Sequence, residues 1–169
     1  MALSSETRRQ AAFAIALRIK NARLLHKGQR IAVYNAIDGE IGLVPLIRYA
    51  QSIGCALYAP RIVDRRARKM EFVALSRRVG MFSGRLQRID PRQIDIVVVP
   101  LVAFDIHGWR LGFGAGFYDR KFAFMRRGYR RRPMLIGVGY EFQRTPPQQP
   151  MPWDVLLHRV VTERHIYRC

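Results

Sequence analysis

The sequence predicts an α/β fold: one three-layer α/β/α domain over residues 1–169, built on a mostly parallel sheet, Rossmann-like but without a dinucleotide fingerprint. Three observations carry this. The runs "RIAVYNA", "CALYAP" and above all "IDIVVVP" are continuously apolar, so they read as strands buried on both faces and not as half-exposed ones. Segments with helical spacing alternate with them, the pattern of a parallel sheet covered by helices. The chain has 169 residues, 49% of them hydrophobic, enough for one core, and it shows no internal repeat.

The elements follow in order. Residues 4–27 open on Ser4 or Ser5 as N-cap, place Glu6 in the first turn and repeat apolar residues at Ala12, Ile15, Ala16 and Ile19. "RIAVYNA" is a strand, "IDGEIG" a turn, and "LVPLIRYAQSIG" a short helix ending at a glycine. "CALYAP" is a strand stopped by Pro60, followed by a basic loop from Arg65 to Lys69 and the strand "MEFVAL". Residues 76–92 form an irregular, glycine-containing connection before the strand "IDIVVVP". After a glycine loop, "FYDRKFAFMRRG" reads as a helix closed by Gly128; "PMLIGVGY" and "RVVT" are further strands, and the proline-rich "QRTPPQQPMPWD" is loop.

Composition excludes several classes. No apolar run approaches the roughly 18 residues of a membrane span, and the patch from Ala11 to Leu17 lacks the flanks of a signal peptide. Cys55 and Cys169 are far apart with no CxxC, and His26, His107, His158 and His165 have no ligand spacing; a reducing, cytoplasmic setting without a cysteine–histidine metal site is expected. The net charge of +18 attracts anions such as nucleic acid, phosphates or polycarboxylates. Only four of the 30 basic residues are lysine, so a genome-wide bias toward arginine codons explains the charge as well as a partner does.

The chemistry concentrates in "VPLVAFDIHGWRLGFGAGFYDRKFAFM", residues 99–125. A parallel strand running into Gly112, Gly114 and Gly116 and then a helix can aim backbone N–H groups at an anion. The spacing is neither G-x-G-x-x-G nor a P-loop, and a tight turn accounts for the glycines as readily as a ligand does. Asp119, one turn beyond, either meets a polyphosphate through a divalent cation or pairs with Arg120 or the helix start.

That string closely resembles the signature of the 5-formyltetrahydrofolate cyclo-ligase family, an apolar strand and Pro followed by "aFD..G.RLG.G.G.YDR". "YNAIDGEIGLVPLI" is similar to the family's strand-turn-helix, and "IGVGYEFQ" with "PWDVLLHRVVTE" to its C-terminal pattern, so the resemblance spans most of residues 30–163. It implies an ATP-dependent ligase that converts 5-formyltetrahydrofolate to 5,10-methenyltetrahydrofolate, releasing ADP and phosphate, with Mg²⁺ as cofactor. It implies that Arg110, Leu111, Gly112, Phe113, Gly114, Ala115, Gly116, Phe117 and Tyr118 cradle the ATP phosphates, Arg110 and Asp119 acting in catalysis. Phe113 to Phe117 would also border the formyl-pterin, together with Asn35 and Glu40, while Asp119 and Asp154 would hold the metal. A monomeric, cytoplasmic enzyme with small-molecule substrates and no membrane partner is expected.

The chain departs from the family pattern in places. Relatives open with a short basic segment that reaches ATP; in register this chain starts after it, leaving Arg8 and Arg9 as substitutes within the first helix. "GMFSGRLQRIDP" carries Asp90-Pro91 where relatives often have Glu-Pro, and Ala115 stands where glycine or lysine is common, tolerable if its φ is negative. An alternative follows: a non-catalytic paralogue that binds RNA or an anionic ligand through its arginines. The densest cluster is Arg126, Arg127, Arg130, Arg131 and Arg132, with Tyr129 as the one aromatic beside them.

Overall fold

The computed structural model describes residues 3–37, 39–75, 87–127 and 133–169. Helix α1 spans Ser5–Asn21, with Ser4 Oγ accepting from the Thr7 N–H at 3.1 Å. Strand β1 (Arg30–Ala32) is shorter than its apolar run, and α2 (Val44–Ser52) carries Pro45 in its first turn and ends before Gly54. Strands β2 (Ala56–Asp64) and β3 (Lys69–Ala74) form a hairpin around the basic loop. Next come β4 (Arg88–Ile89), a 3₁₀ turn (Pro91–Gln93) and β5 (Ile96–Pro100). A small hairpin of β6 (Ala103–Phe104) and β7 (Arg110–Leu111) precedes the glycine loop and α3 (Phe117–Lys121), which runs on into a 3₁₀ segment (Ala123–Arg127). Strands β8 (Met134–Val138), β9 (Arg159–Val161) and β10 (Ile166–Arg168) complete the chain.

Among the described residues the main sheet runs β10-β9-β8-β5-β1-β2-β3-β4. Its centre is parallel, from β2 through β1, β5 and β8 to β9, and its edges β3, β4 and β10 are antiparallel. Alternation within the central strands divides the core in two. Ile96 and Val98 of β5 join Ile31, Ile136 and Val161 under α1 and α2. Val97 and Val99 face the other way, with Leu135 and Val160, under Phe104, Phe122, Met125 and Leu157. The α1–α2 layer is helical as expected. The opposite layer is mostly a short helix, a 3₁₀ turn, the small hairpin and the loop before β9.

Pro60 does not stop β2. It pairs with Phe72 in β3, and the Leu75 N–H bond to the Leu57 carbonyl puts that pair at a non-hydrogen-bonded step of the ladder. The missing donor therefore faces the side that β1 has left after Tyr58. The expected helix over 117–128 shortens to α3 plus a 3₁₀ segment; its closing Gly128 lies outside the described residues, as do 76–86 of the irregular connection. No described helix is long and apolar enough to cross a membrane.

Candidate active site

In chain order the parallel strands are β1, β2, β5, β8 and β9, yet β2 lies on one side of β1 and β5 on the other. The winding reverses there, and doubly wound sheets bind ligands outside the carboxyl ends of the strands at that reversal. A crevice of about 270 Å³ occupies this place, lined by Tyr34 and Asn35 after β1, Glu40 in the following turn, Pro100 at the end of β5, and Phe117 and Tyr118 of α3. Asn35, Glu40, Phe117 and Tyr118, expected from the resemblance, thus meet in one cavity although 83 positions separate the first and the last.

Local bonds fix the turn that presents Glu40. Its Oε2 accepts from the Ile37 N–H at 2.9 Å, and its own N–H returns to the Ile37 carbonyl at 3.0 Å. The buried Tyr34 hydroxyl donates to the Ile41 carbonyl at 2.9 Å, closing the turn from beneath. Burial pushes the Glu40 carboxyl above its ordinary value, opposed by the Ile37 N–H. Burial and then the Glu40 charge push the Tyr34 and Tyr118 hydroxyls up, so both stay protonated donors.

The glycine loop does not follow β5 directly, because the β6–β7 hairpin intervenes. Asp105 organises that hairpin. It is fully buried; Oδ1 accepts from the N–H groups of His107 (2.9 Å) and Trp109 (3.0 Å), and Oδ2 from the N–H of Gln148 (2.7 Å). Gly108 turns the hairpin at φ +91°, where a Cβ would lie 2.5 Å from the Leu157 carbonyl oxygen, so only glycine fits. The glycines of the loop differ from it. A Cβ at Gly112 or Gly114 would meet nothing within 4 Å, which leaves their backbone open to solvent and to a ligand. Gly114 also needs glycine for its φ of +78°, whereas Ala115 has no positive φ and is accommodated. Leu111, Gly112, Phe113 and Gly114 stand exposed at the tip, and Ala115 and Gly116 are half-buried.

Arg110 and Asp119 occupy the base of the loop. Arg110 Nη2 donates to Asp119 Oδ1 at 2.8 Å and Nη1 to the Val155 carbonyl at 2.6 Å, with the arginine side chain only 6% exposed. Asp119 Oδ1 also accepts from the Val155 N–H at 3.1 Å. Asp119 therefore pairs with neither Arg120 nor the helix start, and α3, a single turn of five residues, supplies no long helix dipole to the loop. The clamp brings Asp119 against the residue after Asp154, whose Oδ2 accepts from the Met151 N–H at 2.8 Å. Asp119 and Asp154 offer two hard oxygen donors on adjoining segments. Among the described residues no group of three His, Cys, Asp or Glu forms, but Mg²⁺ needs only one or two carboxylates beside phosphate oxygens.

Two further cavities flank these residues. One of about 550 Å³ is lined by Arg88, Asp90, Arg92, Arg120, Lys121 and Phe124, among others, and is predominantly basic. The other, of about 580 Å³, includes Arg8 and Arg9 and shares Ile37 and Glu40 with the crevice. Sequence reasoning missed Tyr34, Asp105, Arg48 and this second cavity, since no local pattern links α1, α2 and the turn after β1. Of the arginine cluster, residues 130–132 and Tyr129 lie outside the described residues; Arg126 donates to the Pro152 carbonyl at 2.8 Å and so supports the proline-rich loop.

Fold and site together define a doubly wound α/β domain with a largely apolar crevice at its switch point, into which Asn35, Glu40 and two tyrosines bring the polar groups, and an open glycine loop at the rim. Residues 1–163 match the 5-formyltetrahydrofolate cyclo-ligase family. The chain is 39% identical over 135 residues to the 5-formyltetrahydrofolate cyclo-ligase of Mycoplasma pneumoniae, covering 79% of this chain and 72% of that one. It is 29% identical over 147 residues to the Escherichia coli K12 enzyme of the same name, covering 81% and 79%. The NMR structure of Aquifex aeolicus 5,10-methenyltetrahydrofolate synthetase superposes with a TM-score of 0.77 at 28% identity, over 98% of this chain and 84% of that one. The chain belongs to the 5-formyltetrahydrofolate cyclo-ligase family, a family of ligases.

Proposed function

We propose that this chain closes 5-formyltetrahydrofolate to 5,10-methenyltetrahydrofolate at the expense of ATP, releasing ADP and phosphate. The observation that carries the reading is the meeting of Asn35, Glu40, Phe117 and Tyr118 in the switch-point crevice, beside a glycine loop with an unobstructed backbone, in a chain of this family. The pterin enters the crevice, where Glu40 accepts from its ring N–H groups and the protonated Tyr118 is a donor. The glycine loop from Gly112 to Gly116 wraps the phosphates. The basic cavity of Arg88, Arg92, Arg120 and Lys121 stabilises the rest of the nucleotide's charge.

The formyl oxygen attacks the γ-phosphorus, the bond to ADP breaks, and a phosphorylated imine-like intermediate forms. N10 then attacks the formyl carbon and gives up its proton, and the oxygen leaves as phosphate. Alignment and charge neutralisation are the protein's main tasks. Arg110, buried and clamped, acts as a positioning residue that holds the loop and Asp119 in register. Asp119 and Asp154 would hold Mg²⁺, which when bound neutralises phosphate charge. The reaction is placed in the cytoplasm, where Cys55 and Cys169 remain thiols.

The test is absorbance at the methenyl-folate band with Mg²⁺, ATP and 5-formyltetrahydrofolate. A rise that requires ATP and matches ADP released one for one is expected. A flat trace from folded protein that binds neither substrate would overturn the reading.

A further inference from the structure

The crevice of about 270 Å³ falls just short of the roughly 300–1,000 Å³ typical of pockets for drug-sized ligands, and a folate is longer than its pterin. The rest of the substrate has to leave the crevice, and one way out passes Glu40. The cavity of about 580 Å³ opens at that residue, because Ile37 and Glu40 belong to both. Its walls include Phe13 of α1, Ile37, and Val44 of α2, which are 55%, 59% and 44% exposed. Three large apolar side chains gathered around one opening mark a surface suited to a flat apolar group.

Charge distinguishes its rim. Arg8 and Arg48 line the cavity from α1 and α2, and neither has an ion-pair partner among the described residues. Arg9, beside them, is held by Glu6 at 2.8 Å. Two guanidiniums without an ion-pair partner among the described residues, above an apolar wall, match an aryl ring bearing carboxylates at its far end, since guanidinium takes a carboxylate in a two-pronged fashion.

We infer that this cavity between α1 and α2 seats the aminobenzoyl-glutamate arm of the folate, its ring against Phe13, Ile37 and Val44 and its carboxylates on Arg8 and Arg48. The inference rests on the cyclo-ligase reading and deepens it. Arg8 and Arg48 thereby set affinity for the glutamate end and are indifferent to the pterin.

Equilibrium binding without ATP tests this, using 5-formyltetrahydrofolate and an analogue without the arm or any carboxylate, 5-formyl-6-methyltetrahydropterin. Exposed charge pairs contribute roughly 0.2–1 kcal/mol each, so Arg48→Gln should weaken the glutamate-bearing ligand by up to about fivefold, and Arg8→Gln with Arg48→Gln by up to about thirtyfold. The armless pterin should bind parent and variants alike, which also shows that the variants are folded. Equal losses for both ligands, or no loss for either, would overturn the subsite. If the parent bound neither ligand, the folate reading and the subsite would fall together. Selective loss of glutamate recognition without ATP-dependent turnover in the parent would leave the subsite standing and sink only the catalytic reading.

Discussion

Asp119 Oδ1 lies 2.8 Å from Arg110 Nη2, and both groups close on the backbone of Val155, so one ion pair joins β7, α3 and the segment after Asp154. The arginine side chain is 6% exposed and the aspartate 21%. Breaking such a pair strands a buried charge, whereas replacing both partners by apolar groups is often near neutral. Asp119→Asn should therefore cost about 3 kcal/mol of stability as well as turnover. Arg110→Met combined with Asp119→Leu should melt much closer to the parent yet remain inactive in the methenyl-folate assay. Activity that returned with stability would make the pair a scaffold alone and remove Asp119 from the metal site.

Gly112 separates loop function from folding. Its φ is not in the left-handed region and a Cβ there meets nothing within 4 Å, so Gly112→Val should leave the melting temperature nearly unchanged. If phosphates lie along this backbone, the branched side chain projects into their path and the KM for ATP should rise at least about tenfold, about 1.4 kcal/mol of lost binding. Gly114→Val is the less clean experiment, because a φ of +78° adds strain of about 1–2 kcal/mol to any steric block. An unchanged KM for ATP in Gly112→Val would move the nucleotide off the loop.

Glu40 trades stability for function. Burial holds its carboxyl above the ordinary 4.5, with the Ile37 N–H working against the shift. Because the folded value exceeds the unfolded one, the folded state binds more protons in the window just above 4.5, and stability falls as pH rises through it. Glu40→Gln removes that loss. Its unfolding midpoint in denaturant should exceed the parent's at neutral pH and coincide with it well below 4.5, while turnover at neutral pH collapses for want of the carboxylate. A variant less stable than its parent at both pH values would show that Glu40 supports the turn and does not merely burden it.

What the sequence made legible follows from how local each cause is. The run Ile96 to Val99 is buried on both faces and announces β5 by itself. The β6–β7 hairpin has two-residue strands, too short for any periodicity, and it depends on Asp105 reaching Gln148, 43 positions away. Likewise Pro60 reads as a breaker until its ladder position is known, because the sheet edge it faces is set by where β1 ends. Glu40 and Tyr118 could be linked from sequence only through a family resemblance. The composition of α1 and α2 gave no hint that Arg8 and Arg48 share a cavity, since that depends on how the two helices pack.

Asp105 offers a last test of how the loop is held. Its two oxygens receive three backbone N–H groups in a fully buried setting, from His107 and Trp109 within the hairpin and from Gln148 in the proline-rich loop. Asparagine can keep the first two on its one oxygen but must turn its amide toward Gln148, where a donor meets a donor. A lost hydrogen bond to a charged group costs roughly 1.5–3 kcal/mol, and for a chain of this size each kcal/mol moves the midpoint by about 2–4 °C. Asp105→Asn should therefore lower Tm by about 3–12 °C, and amide exchange should quicken at Gln148 more than at His107. A Tm within about 1 °C of the parent would show that the hairpin and the proline-rich loop are joined by their apolar contacts and not through this carboxylate.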